Sequence, residues 1–283
     1  MPTAPASTPD TQALEAMRRQ LAAWSIRMCA RAGSGHPSTC LSASHLLTGL
    51  FFGGFLNYDV ARPHWPDRDR FVLSKGHGAP ILYAALAELG AFPTADLMTL
   101  RELGSPLEGH PNARRLPWVE ASTGSLGQGL SIGLGMALAA RLQGRDFRSW
   151  VLMGDGELDE GQVWEAAMAA AKYRTANLTA IVDRNGYQQT GPGDQVLPLE
   201  PLADKWAACG WAVLTIDGHD WPAVLEALTQ ARSAGRDRPL AIIARTVKGF
   251  GVQRIVDDPG NKFHGVPLLG DAAEAAVREV LQG

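Results

Sequence analysis

The sequence predicts an α/β fold, a mostly parallel sheet with helices on both faces. Two observations carry this. Short apolar runs alternate with stretches of helical period along the chain. Two of those runs end in a glycine-containing polar cluster that opens a helix, which is how a parallel βαβ unit reads at its carboxyl edge. The 283 residues are 46% hydrophobic and 19% charged. That is an ordinary globular composition, long enough for one large domain. A net charge of −3 points to neither nucleic acid nor an anionic membrane as a partner.

Met1 to Asp10 is rich in Pro, Thr and Ala and lacks a basic or apolar targeting region, so residues 1–10 read as a flexible arm and 11–283 as one domain. Cys29, Cys40 and Cys209 show no CxxC spacing, which argues against a disulfide framework and for a reducing, cytoplasmic setting. Thr11 to Ala32 is an amphipathic helix, with Leu14, Met17, Leu21, Trp24 and Met28 at helical spacing. Pro37 fits the first turn of a second helix, about Ser38 to Leu50, which is apolar nearly all round and therefore buried. His36 stands at its cap, where it is either structural or part of a site.

Arg70 to Ser74 is a strand and Ala79 to Leu89 a helix, with Lys75-Gly76-His77-Gly78 between them. That cluster is either an anion site or a capped turn. His110 lies in the loop Gly109-His110-Pro111. From Gly124, a glycine-studded stretch opens a helix ending at Leu142, and each interior glycine costs roughly 1 kcal/mol relative to alanine. Such glycines imply close approach of the backbone, to a neighbouring element or to a ligand. Later elements are a strand at Trp211–Ile216, a turn at Asp217-Gly218-His219-Asp220, a helix at Trp221–Ser233, a strand at Leu240–Arg245 and a helix at Asp271–Leu281. Gly249 to Lys262, long, polar and glycine-containing, is the best candidate for a mobile loop.

The centre of the chain is Gly154-Asp155-Gly156-Glu157. A buried strand, Ser149–Met153, precedes it. A helix, Glu160–Tyr173, and a second strand, Leu178–Val182, follow, and the second strand runs into Asp183-Arg184-Asn185. Asp155 and Asn185 then both sit just past strand carboxyl ends. One carboxylate and one amide oxygen suit a hard cation such as Mg²⁺, and the two glycines allow close approach to a phosphate.

Eight segments, in order, resemble transketolases: GSGHP (33–37), RFVLSKGHGAPILYA (70–84), EGHP (108–111), TGSLGQGL (123–130), GDGELDEGQVWEA (154–166), DRNGYQQTG (183–191), DGHD (217–220) and VKGFG…FHGVP (247–267). The resemblance implies the diphosphate-binding (PP-type) domain of the thiamine-diphosphate fold, and the N-terminal subunit of a split enzyme that transfers a two-carbon ketol unit between sugar phosphates. It implies thiamine diphosphate with Mg²⁺, or Ca²⁺ or Mn²⁺ in its place. The cation would be held by Asp155, Asn185 and the Tyr187 carbonyl. Gly124, Leu126, Gly154, Gly156 and Glu157 would stand at the cofactor, with Lys75 and Lys248 in an ion pair or at the diphosphate. His77 would touch cofactor and donor, His36 and His264 would handle the donor's C3 hydroxyl proton, and His110 its C1 hydroxyl. Glu160 and Glu165 resemble acidic residues of the dimer interface. A C-terminal subunit carrying the pyrimidine-binding domain would complete an α₂β₂ assembly. Two other readings share the GDG…Asn signature: the α subunit of a 2-oxo acid dehydrogenase, and a non-catalytic chain that binds thiamine diphosphate.

Overall fold

The computed structural model describes residues 9–233, 235–258 and 260–283. Residues 1–8 of the expected N-terminal arm lie outside them. Five strands, β1 (Arg70–Leu73), β2 (Ser149–Gly154), β3 (Leu178–Arg184), β4 (Ala212–Asp217) and β5 (Leu240–Arg245), form one sheet of order β1-β2-β3-β5-β4. Every pairing is parallel, as the alternation of elements predicts. All the strands therefore end along one edge.

Side chains alternate across a strand, so each strand feeds two cores. Phe71, Leu73, Trp150, Leu152, Ile181, Leu240 and Ile242 face one layer. It is built from α1 (Thr11–Ala32), α2 (Pro37–Ser42), α3 (Ser44–Phe52), α4 (Ala79–Glu88) and α9 (Trp221–Arg232). Val72, Val151, Met153, Ala180, Val182, Ala241 and Ile243 face the other. That layer holds α5 (Gln128–Leu142), α6 (Gly161–Lys172) and α8 (Leu202–Ala208). Two short helices, α7 (Gly193–Val196) and α10 (Gln253–Val256), lie in loops. The last helix, α11 (Gly270–Gln282), packs its Ala273, Ala276, Val277 and Val280 against Ala22 and Ile26 of α1. No described helix is long and apolar enough to cross a membrane.

α1 has the predicted bounds. Asp10 caps it by accepting from the Gln12 amide, and Gly33, at φ 60°, ends it. The predicted helix at Ser38–Leu50 is instead two helices that break at Ala43. The Ser42 and Ser44 hydroxyls bond back to the carbonyls of Thr39 and Leu41, offering the backbone an alternative to a continuous helix. The expected burial holds, since Pro37 through Phe51 are all buried.

Two of the three glycines of α5 serve contact between elements, and the third, Gly135, has open space around it. A Cβ at Gly129 would meet the Ser74 hydroxyl oxygen at 2.3 Å, and one at Gly133 would meet Val151 at 2.4 Å. The close approach is thus to the ends and faces of β1 and β2. α8, at Leu202–Ala208, goes unpredicted because its seven residues span barely two turns and its buried Trp206 packs on the distant Trp211.

Candidate functional site

A cavity of about 340 Å³ opens at the carboxyl edge of the sheet. It is lined from seven places in the chain. His36 and Thr39 come from the start of α2, and Lys75 and His77 from the turn after β1. His110, Gly124 and Leu126 come from the long segment between α4 and α5. Gly154, Asp155, Gly156 and Glu157 follow β2, and Asn185, Tyr187, Gln188 and Gln189 follow β3. Lys248 follows β5, and His264 completes the wall. Every site residue expected from the sequence lines this one cavity. Thr39, Gln188 and Gln189 line it unforeseen, although all three lie in or beside the matched segments. A wider groove of about 750 Å³ lies between the start of α1 and the start of α9, away from this chemistry.

The histidines cluster. Ring centroids of His36, His77 and His264 lie 5.3, 5.4 and 5.6 Å apart in the three pairings. His110 stands exposed at the rim against Gly124. Burial, with Arg101, His110 and Lys248 adding repulsion, lowers His36 to about 4. Burial and Lys248 lower His264 to about 3, and burial with Lys75 pushes His77 well down. All three rings are therefore neutral near pH 7 and can accept protons. The Nδ1 of His36 is buried without a hydrogen-bond partner among the described residues. Arg101 goes unpredicted by the sequence. It lies against Gly109 and bears on both His36 and His110, a proximity that no local pattern reveals.

The two lysines differ. Lys75 is spent on a buried ion pair with Asp183, whose oxygens also accept from the Ser42 hydroxyl (2.6 Å) and the Thr246 hydroxyl. Lys248 is 7% exposed and has no carboxylate within 4.0 Å among the described residues. Its ammonium lies 2.7 Å from His264 Nδ1 and 5.4 Å from the centre of the Tyr187 ring. Burial and the charge of Lys75 lower its pKa to about 8.

The Asp155 carboxylate accepts from the Gly156 amide (3.0 Å) and the Gly186 amide (2.6 Å) and lies 3.0 Å from Arg184 Nη1. Burial and Asp183 raise its pKa, and the Gly186 amide and Arg184 oppose them. The Asn185 amide oxygen accepts from the Tyr187 amide at 3.1 Å. The Glu157 carboxylate turns into the fold, accepting from Ser74 and from the amides of Gly127 (2.9 Å) and Gly154 (3.2 Å). The helix expected from Glu160 begins at Gly161, and a 3₁₀ turn, Gly156–Asp159, and the extended Glu160 stand between the glycine turn and its first residue. Glu160 and Glu165 are both exposed.

The segment expected to be mobile carries α10 and is tied down at several points. The Gly249 amide bonds to the Ser38 carbonyl at 3.0 Å. The Asn261 amide group reaches the carbonyls of Gln188 and Gln189 at 2.7 and 3.0 Å, linking the loop of His264 to that of Tyr187.

Burial also lowers His45 and His219, to about 3 and 4. The unfolded chain binds these protons near the ordinary value of about 6.5, whereas the folded chain does not. Stability is therefore complete above about pH 6.5 and is lost as the pH falls toward 4. The melting temperature should drop by roughly 5 °C or more between pH 7 and 4.5. A flat calorimetric profile would show that the histidines charge freely in the fold.

The family model described as "Transketolase, thiamine diphosphate binding domain" matches residues 10–281. Transketolase-like protein 2 of Bos taurus is 42% identical over 272 residues, covering 94% of this chain and 42% of that protein. The 6-deoxy-6-sulfo-D-fructose transketolase subunit SqwG of a Clostridium species is 43% identical over 248 residues, covering 88% of this chain and 89% of that protein. The crystal structure of transketolase from Campylobacter jejuni superposes with a TM-score of 0.88 at 32% identity, over 96% of this chain and 43% of that one. The chain thus spans less than half the length of the full-length relatives.

Proposed function

The chain belongs to the transketolase family, spanning its thiamine diphosphate-binding domain, and from that premise we propose that it is the N-terminal subunit of a two-subunit transketolase. The reaction moves a two-carbon ketol unit from a ketose phosphate to an aldose phosphate. The observation that carries the reading is the convergence of four histidines, two lysines and the Asp155 turn on one cavity. The near-complete coverage of the SqwG subunit supports a separate second half.

The residues fit the cofactor. Lys248 is a buried cation without a carboxylate partner among the described residues, as a diphosphate requires, and His36, whose Nδ1 has no hydrogen-bond partner among them, lines the same cavity. Asp155, Asn185 and the Tyr187 carbonyl are hard oxygen donors. They would hold a divalent cation that keeps other positions for phosphate oxygens. Only one of the three is a carboxylate, in keeping with no grouping of three His, Cys, Asp or Glu poised for a metal among the described residues. Bound thiamine diphosphate supplies a carbon nucleophile and a sink for the electron pair of the broken bond.

The chain supplies the proton handling. Neutral His36 and His264 can take the proton of the donor's C3 hydroxyl as the C2–C3 bond breaks. His77, beside both, touches cofactor and donor. His110 at the rim hydrogen-bonds the C1 hydroxyl and the carbonyl oxygen. His110→Ala should lower kcat by about 100-fold or more while cofactor affinity stays within about threefold. Equal losses would mean that the role is misassigned.

The decisive assay is ketol transfer from xylulose 5-phosphate to ribose 5-phosphate with Mg²⁺ and thiamine diphosphate. The chain alone should be silent, because activation of the thiazolium needs a glutamate of the pyrimidine-binding domain, and the completed enzyme should be active. Activity of the chain alone would refute the shared site. The sulfo-sugar named for SqwG is the alternative donor to run beside it.

A further inference from the structure

The Asp217–Asp220 turn lies outside the cavity lining, yet its histidine reaches the backbone that carries Lys248. His219 Nε2 accepts the Val247 amide hydrogen at 2.9 Å. Its ring stacks on Phe250, with centroids 3.7 Å apart and planes 13° from parallel. One imidazole thus grips the residue before Lys248 and the second residue after it.

The turn is built to hold that imidazole. Asp217 caps the His219 amide at 2.8 Å, and Asp220 caps α9 through the Ala223 amide at 3.0 Å. The Gly218 amide bonds to the Arg245 carbonyl at 2.7 Å, and a Cβ there would meet Thr246 Cγ2 at 2.5 Å, so only glycine lets the turn sit on the end of β5.

The protonation pattern follows from the partners. A backbone amide can only donate, so His219 Nε2 is bare and its proton is on Nδ1. Nδ1 faces His45 Nδ1 at 3.1 Å and donates to it. His45 then carries its proton on Nε2, 3.7 Å from Glu15 Oε2. Burial favours a raised pKa for Glu15, but its bonds to Arg18 and Arg19 hold it down at about 2, so it faces His45 as a carboxylate. Arg18 also stands over Phe250 at 5.4 Å, closing the packing around the pair. The chain Glu15–His45–His219–Val247 leaves one acceptor pointing at the strand end.

We propose that His219 is a positioning residue that holds the Val247–Phe250 segment so that Lys248 meets the diphosphate. The inference rests on the assignment of Lys248 above, and the test separates the two. His219→Phe keeps a flat ring on Phe250 but offers no acceptor. His219→Gln can place an amide oxygen near the Nε2 position. Hydrogen exchange at the Val247 amide and the thiamine diphosphate dissociation constant with Mg²⁺ are measured on the enzyme assembled with its completing subunit.

His219→Phe should speed Val247 exchange and weaken cofactor binding, each by about tenfold, the scale of one lost hydrogen bond. His219→Gln should recover most of both. Lys248→Met should weaken binding at least as much as His219→Phe. Unchanged affinity in His219→Phe beside a weakened Lys248→Met overturns the inference alone. Unchanged affinity in Lys248→Met overturns the diphosphate role and the inference with it. Should His219→Phe fail to fold, His219→Asn, whose shorter amide reaches only the Nδ1 position, replaces it in the comparison.

Discussion

Asp155→Ala is expected to abolish Mg²⁺-dependent binding of thiamine diphosphate while the chain stays folded. The carboxylate is nearly buried and lines the cavity; it accepts from two backbone amides and pairs with Arg184 at 3.0 Å. Its pKa is raised by burial and by Asp183, so the fold holds this charge under stress that a bound cation would relieve. Removing one partner of a buried charge contact costs roughly 2–5 kcal/mol, so affinity should fall by about 30-fold or more. The melting temperature should move little, since Arg184 keeps a second carboxylate, Glu200, at 3.3 Å. Asp155→Asn should fall between, retaining an oxygen donor without the charge. Titration calorimetry with and without Mg²⁺ decides it. An affinity within threefold of the parent would remove Asp155 from the cation site.

Lys75→Met should cause the largest loss of stability. The Lys75 and Asp183 side chains are 1% and 0% exposed. Deleting the ammonium leaves a buried carboxylate supported only by the Ser42 and Thr246 hydroxyls, which costs roughly 3–5 kcal/mol. For a domain of this size that is a fall of roughly 6–15 °C in melting temperature. Lys75→Met/Asp183→Asn should recover part of it, because a neutral amide no longer needs a counter-charge and can accept from one hydroxyl and donate to the other. A single variant melting within 2 °C of the parent would mean that the pair is hydrated. The pair also joins the ends of β1, β3 and β5 with α2 beneath the cavity, so part of the cofactor affinity should go with it.

Much of this molecule is local and therefore legible. The short apolar runs and the period-3.6 patterns place β1 through β5 and α1, α4, α5, α6, α9 and α11 within a few residues, because burial on both faces of a parallel sheet leaves a strong apolar signature. The glycine turns after the strands mark the ligand edge, and the histidines fall in glycine-flanked loops at that edge. The break at Ala43 is not legible. It depends on serine hydroxyls choosing backbone carbonyls over solvent, a choice made only once the helix is buried.

What the sequence determined by itself is the kind of chemistry: which residue types stand at strand ends, and that these suit a cation, a diphosphate and proton transfer. The tertiary structure alone decided how those residues are employed. Lys75 and Lys248 look alike in the chain. Asp183, 108 residues from Lys75, neutralises one, whereas the other faces the cavity without a carboxylate partner among the described residues. His219 looks like part of a turn, and becomes a support for Lys248 because β4 and β5 lie side by side. Arg101 looks like a surface residue, and becomes a neighbour of two histidines because its loop folds over Gly109. Such pairings join groups far apart in the chain. They are fixed by burial and by the need of each buried polar group for a partner, and no local period records them.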